Sequence, residues 1–210
     1  MAKIVGIGTQ SFEAMREKNT FYVDKTAFIK EWWENQDAVT LITRPRRFGK
    51  TLNMDMLKCF FSNKYEGRGD LFEGLDIWKE ERYHELQGTY PVIFLSFAKI
   101  KQNTYEGAIK QIKNELINQY NAFDYIMESN LYNENERAQY KSVCVGMDDA
   151  VAQEAINNLS NYLSRYYGKK VIILLDEYDT PMQEAYVNSY WEELVAFTRS
   201  LFNSTFKTNP

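Results

Sequence analysis

The sequence predicts a three-layer α/β fold, a mainly parallel sheet flanked by helices. Three observations predict it. An apolar run, Ala38 to Ile42, leads into a basic turn that ends Gly49-Lys50-Thr51 and opens a helical pattern. A second run, Val171-Ile172-Ile173-Leu174-Leu175, is apolar throughout, the mark of a strand buried on both faces. It ends on two adjacent carboxylates, Asp176 and Glu177, at the strand end where open α/β sheets bind ligands. At 210 residues the chain reads as a single domain, residues 1–210, with enough length for a real core.

Taken in order, residues 1–37 are an N-terminal preamble. Tyr22-Val23-Asp24-Lys25-Thr26 leads into a helix with Phe28, Ile29, Trp32 and Trp33 at helical spacing. Those aromatics read first as sheet-edge packing, and second as a border for a flat base, which stacks on aromatic faces, with Asp24 or Lys25 touching base or ribose. Ala38 to Ile42 is the first strand. The helix after Thr51 carries Leu52, Met56, Leu57, Phe60 and Phe61 on one face. Glu66 to Gly74 reads as loop, anchored by Leu71, Phe72 and Leu75. Pro91 to Phe97 is a second strand, with proline allowed at its first position. Thr104 caps the next helix, whose buried stripe is Ile109, Ile112, Leu116, Ile117 and Tyr120. Residues 121–147 read as a polar helical insertion on the outside of the sheet, with Asn133 and Glu136 as a helix start and Gly146 as a stop. Asp148 or Asp149 opens a helix with Val151, Ala155, Ile156, Leu159, Leu163 and Tyr166 inward, ended by Gly168. After the Asp176-Glu177 strand, Pro181 breaks the chain. Ser189 with Glu192 spells a capping box before a stripe of Trp191, Leu194, Val195, Thr198, Leu201 and Phe202.

Strand, turn and helix, with Gly-Lys-Thr closing the turn, make the phosphate-binding arrangement of P-loop NTPases. Arg46, Arg47, Phe48, Gly49, Lys50, Thr51 and Leu52 are the expected phosphate-binding residues at a helix start, where loop N–H groups cradle the anion and Arg46 and Arg47 add charge near the γ-phosphate or bind a partner's polyanion. Gly49 brings backbone to phosphate with no β carbon between. Lys50 sets a compact charge against the outer phosphates, and Thr51 offers a hydroxyl to Mg²⁺. The full pattern has glycine at position 44, where this chain has Arg44. The acidic strand is the matching Walker B element beside this Walker A loop: Asp176 for Mg²⁺, and Glu177 to polarise the attacking water as general base.

Composition narrows the partners. Net charge is −4, so the chain has no overall attraction for nucleic acid. Its basic charge is local, with Arg44, Arg46, Arg47 and Lys50 in one short stretch, which suits a polyanionic ligand. Cys59 and Cys144 have neither metal-ligand nor disulfide-framework spacing, and one histidine, His84, builds no zinc site. The N-terminus lacks a signal-peptide apolar segment and no run approaches membrane-spanning length, so a cytoplasmic protein with reduced thiols is expected.

Three strings then carry a resemblance: Tyr22-Val23-Asp24-Lys25-Thr26, Arg44-Pro45-Arg46-Arg47-Phe48-Gly49-Lys50-Thr51, and Asp176-Glu177-Tyr178-Asp179-Thr180-Pro181. The chain resembles, over nearly its whole length, the bacterial AAA-ATPase-like family. In that family arginine at the first loop position is the normal form. The resemblance implies a P-loop ATPase that binds ATP and Mg²⁺ and hydrolyses the γ-phosphate, usually followed by a PD-(D/E)XK nuclease-type domain that it regulates, with self-association possible and any nucleic-acid contact indirect. In such folds a further strand carrying a polar sensor residue follows and inserts between the two motif strands. None follows before Pro210, so a domain truncated before that strand, weak in hydrolysis by itself, is expected. A nucleotide-dependent switch or protein-interaction module that does not hydrolyse is the alternative. A kinase fits less well, because the paired acids suit water as nucleophile. A nuclease carboxylate and lysine cluster is not visible in these residues.

Overall fold

The computed structural model describes residues 4–6, 8–43 and 48–207. They form a helix-rich α/β chain that divides into two compact units, Met1–Val92 and Ile93–Pro210.

The first unit is built on aromatic packing. Helices α1 (Phe12–Glu17), α2 (Ala27–Asn35), α3 (Lys50–Phe61) and α4 (Arg82–Leu86) are joined by 3₁₀ turns at Asn63–Tyr65, Gly69–Phe72 and Asp76–Lys79. Phe12, Phe60, Phe61 and Phe72 are fully buried. Phe60 meets Phe61 and Phe72 edge-on, with ring centroids 4.9 and 5.1 Å apart, while Phe12 stacks on Phe72 at 5.2 Å. Trp33 stacks on Phe61 and Trp32 meets it edge-on, so the half-buried Trp32-Trp33 pair packs against the aromatic core.

The first helix, α1, was hidden within the preamble. Ser11 caps it by accepting from the Ala14 N–H, and Asp55 of α3 accepts from the Phe12 N–H at 2.7 Å. Arg16 donates to the Leu71 and Glu73 carbonyls at 2.6 and 2.7 Å, and Arg68 reaches Glu13 and Glu17. The last carbonyls of α3, orphaned by helix geometry, find partners 28 and more residues on: Phe60 O accepts from Gly88 N–H at 2.7 Å and Phe61 O from Tyr90 N–H at 2.8 Å. Gly88, at φ +71°, touches backbone there; a β carbon would sit 2.6 Å from Glu66 Cα. Asp55 is buried, and Lys58 is its second partner. Asp55→Ala strands the Phe12 N–H and is expected to cost about 2 kcal/mol of stability. Asp55→Asn, which keeps an acceptor, should recover most of that in urea denaturation.

The second unit carries a two-stranded parallel sheet, β1 (Val92–Ser96) and β2 (Ile172–Asp176), with helices α5 (Tyr105–Asn121), α6 (Glu134–Lys141), α7 (Asp149–Tyr167), α8 (Thr180–Val187) and α9 (Trp191–Lys207). Several local expectations appear in detail. Thr104 Oγ1 accepts from Gly107 N–H at the start of α5. Asn133 and Glu136 form a reciprocal capping box at 2.8 and 3.0 Å. Gly168 ends α7 at φ +63°. The core runs through α5, α7 and α9, with Ile112, Ile156, Leu159, Leu163, Leu194 and Leu201 buried.

Other expectations are corrected. Ala38 to Ile42 forms no strand: it enters no ladder, Val39 and Leu41 are 57% and 63% exposed, and Thr40 is held by the Trp32 indole N–H at 3.1 Å. An apolar run becomes a strand only where a neighbour accepts its N–H and C=O groups. With two strands, β2 is not sealed on both faces: Ile172, Leu174 and Asp176 are buried, while Ile173 and Leu175 are only partly so. The polar stretch 121–147 sends Phe123, Ile126, Met127, Tyr132, Tyr140, Val143 and Met147 into the core. Its tyrosines donate to helix carbonyls, Tyr140 to Tyr120 O and Tyr132 to Tyr162 O, both at 2.6 Å, and burial pushes the Tyr140 phenol up. Its short helix stops at Lys141, not Gly146. Ser189 is not the cap of α9; it lies at φ +63°, one residue outside the capping position, because the helix begins at Trp191. Trp191 is 44% exposed, and Phe197 takes an inward place.

Candidate functional site

The start of α3 gathers five sequence-predicted residues. Phe48 leads to Gly49, which adopts φ +77°, ψ 24° and hands the chain into the helix at Lys50. The left-handed conformation suits a residue without a side chain. The first helical bond of α3 here is Asn53 N–H to Gly49 O, so the N–H groups of Lys50, Thr51 and Leu52 precede the helical ladder. Such N–H groups, with the positive end of the helix dipole, attract anions. Arg46 and Arg47, together with Arg44 and Pro45, lie outside the described residues.

Beside this turn the first unit holds a pocket of about 360 Å³. One wall is Phe48, Gly49 and Leu52. The other is the segment after α1, with Phe21, Tyr22, Val23 and Lys25, closed by Met15. The Tyr22 hydroxyl reaches Met56 Sδ of α3 at 3.2 Å, and burial raises the phenol to about 12, so it stays protonated. Lys25 Nζ lies 3.4 Å from the Phe48 carbonyl.

The Asp24 carboxylate is already engaged. It accepts from Thr26 N–H at 2.9 Å, Thr26 Oγ1 at 2.7 Å and Asp76 N–H at 2.8 Å. Burial works to raise its pKa, but those hydrogen bonds win and hold it below the usual carboxylate value. Asp24 therefore pins the pocket segment to the 3₁₀ turn at Asp76.

The acidic motif occupies the C-terminal tip of β2 in the second unit. Asp176 is 4% exposed, and its carbonyl accepts from Phe97 N–H at 3.0 Å. Glu177 turns the chain at φ +52°, a left-handed conformation costing a non-glycine residue about 1 kcal/mol. Its Oε2 accepts from Thr180 Oγ1 at 3.1 Å and its carbonyl from Thr180 N–H at 3.0 Å. Pro181, expected to break the chain, instead sits in the first turn of α8, where its missing N–H has no helical partner to lose. Adjacent in sequence, the two acids thus differ: Asp176 is enclosed, and Glu177 is displayed on a tight turn.

A hydroxyl from Thr51 and a carboxylate from Asp176 are hard oxygen donors of the kind Mg²⁺ takes. Among the described residues no three His, Cys, Asp or Glu side chains gather into a metal cage. In phosphate sites Mg²⁺ takes one or two protein oxygens, completed by phosphate and water. Cys59 is buried, and burial raises its thiol to about 12, which makes it inert. Among the described residues no helix is long and apolar enough to cross a membrane.

A family model described as "Predicted AAA-ATPase" matches residues 6–210. The chain belongs to this AAA-ATPase-like family. It is also similar to an uncharacterized protein in the vnfD 5′ region of Azotobacter chroococcum mcd 1, 29% identical over 184 residues. That match covers 86% of this chain and 30% of the relative, so the chain spans about a third of the relative's length. No solved structure matches. The Tyr22-Val23-Asp24-Lys25 segment, readable in sequence as a border for a flat base, lines the pocket; Met15 and Phe21, which also line it, carried no such signal.

Proposed function

We propose that this AAA-ATPase-like chain is the ATP-binding, Mg²⁺-dependent module of a cytoplasmic P-loop NTPase that hydrolyses the γ-phosphate and regulates an attached nuclease-type domain. The observation that carries this is the left-handed Gly49 opening α3 with Lys50 and Thr51 in its first turn, beside an apolar pocket sized for part of a nucleotide. The adenine would lie against Phe21 and Tyr22. Lys50 and the N–H groups of Phe48 to Leu52 would hold the β- and γ-phosphates, with Arg46 and Arg47 adding charge near the γ-phosphate. Thr51 and Asp176 would hold the metal, which supplies charge neutralisation to the phosphates when bound. Glu177 would orient water and take its proton.

The first test is thermal stabilisation by ATP with and without Mg²⁺. Ligand at one hundred times its dissociation constant adds roughly 2.7 kcal/mol, and no shift with any nucleoside triphosphate would sink the proposal. Glu177→Gln should keep ATP affinity and lower phosphate release by roughly 10²- to 10⁴-fold, read in a protein extended past Pro210. A non-hydrolysing switch is the second reading, favoured by the Thr180 hydroxyl already engaging the Glu177 carboxylate. It predicts binding without phosphate release in that same extended wild-type protein.

A further inference from the structure

The pocket has one charged residue in its lining, Lys25. The rest of the lining is apolar apart from the Tyr22 hydroxyl, which is already occupied by Met56 Sδ and the Lys25 N–H. A cavity whose lining side chains are mostly apolar, with a single ammonium among them, fits a ligand with a flat apolar body and an anionic tail.

Lys25 differs from three lysines of the first unit that are held in ion pairs. Lys30, Lys58 and Lys79 each pair with a carboxylate, Glu80, Asp55 and Asp76 respectively. Among the described residues Lys25 takes part in no ion pair, and its neighbour Asp24 is committed to Thr26 and Asp76. Its one side-chain hydrogen bond, to Phe48 O, is 3.4 Å long, whereas a charge-assisted N–H···O bond is about 2.7 to 2.9 Å. The ammonium is therefore placed at the loop without being satisfied there. Its position is close to the glycine: a β carbon built on Gly49 would lie 3.4 Å from Nζ.

The geometry points to Lys25 as a phosphate-binding residue that contacts the phosphate nearest the nucleoside, at the junction between the apolar pocket and the Gly49 turn. This rests on the nucleotide-binding function proposed above and assigns within it a second cation, separate from Lys50. Lys50 begins the helix and serves the outer phosphates. Lys25 reaches the same turn from the pocket side, where a base seated on Phe21 and Tyr22 joins its phosphate tail. The sequence expectation of Lys25 on base or ribose is thereby replaced by a contact to an anion.

Titration calorimetry of ATP and of inorganic tripolyphosphate, both with Mg²⁺, on wild type, Lys25→Met and Lys25→Arg tests this. Lys25→Met should weaken both ligands, each by about tenfold, because one charge-assisted contact is lost in each case. Lys25→Arg should stay within about threefold of wild type for both. If Lys25→Met loses ATP affinity and keeps that for tripolyphosphate, the residue touches base or ribose and the inference is overturned. If both affinities stay at the wild-type level while the ligand-free melting temperature falls, Lys25 is only a loop restraint, which also overturns it. Wild type binding neither ligand would instead remove the nucleotide-binding function itself, and this inference with it. Lys25 is exposed, so the variants are expected to fold, and their ligand-free melting curves check that directly.

Discussion

Lys50→Ala is expected to weaken nucleotide binding by roughly 10²- to 10⁴-fold. The side chain is the first of α3, directly after the left-handed Gly49. If it makes two charge-assisted hydrogen bonds to phosphate, their loss weakens binding by roughly 10²- to 10⁴-fold. Alanine is the best helix former, so the substitution does not disturb α3, and Lys50 is only partly buried. The loss therefore reports the site and not the fold. Calorimetry with ATP and Mg²⁺ on Lys50→Ala, with unchanged far-UV circular dichroism as the control, decides it. Wild-type affinity in the variant would refute the assignment of this loop. The effect should exceed that of Lys25→Met, because the proposed site sets Lys50 against the multiply charged end of the phosphate tail.

Local elements of the fold, and the turn that opens the candidate site, were legible in the sequence, for reasons that differ by residue. Thr104, the Asn133–Glu136 pair and Gly168 act within three or four positions of themselves, so their chemistry is written locally and the structure repeats it. Gly49-Lys50-Thr51 at the head of a helix is legible in the same way. The rest depends on partners far along the chain. Helix α1 is short and polar in pattern, and it is fixed by Asp55, 43 positions away, and by Arg68, which no periodicity reveals. The pocket wall inherits that difficulty, since Met15 and Phe21 are placed by α1. The run Ala38 to Ile42 shows the converse: its composition is strand-like, but pairing decides, and in this structure the run is left unpaired. Residues 121–147 misled because polarity counted over a window hides tyrosines whose rings are buried and whose hydroxyls find carbonyls.

Phe60→Ala is the substitution expected to damage stability most, and it separates the support of the site from the site. Phe60 is fully buried on α3, ten positions after Lys50 and on the same helix, with Phe61 and Phe72 against its ring. Removing a buried phenylalanine ring costs about 3 to 5 kcal/mol, the sum of lost transfer energy and the cavity left behind. Against a typical total of about 5 to 15 kcal/mol, that loss leaves the unit marginal or unfolded. Phe48→Ala provides the contrast. Phe48 is 61% exposed, so its truncation should change stability by no more than about 0.5 kcal/mol, while its place in the pocket wall makes it sensitive to ligand. In urea titrations the Phe60→Ala midpoint should fall far below wild type and the Phe48→Ala midpoint should coincide with it. In ATP titrations at low temperature the order of interest is reversed: Phe48→Ala loses affinity without loss of fold. Equal urea midpoints for Phe60→Ala and wild type would mean that the aromatic cluster does not support α3, and the left-handed turn at Gly49 would then need another source of rigidity.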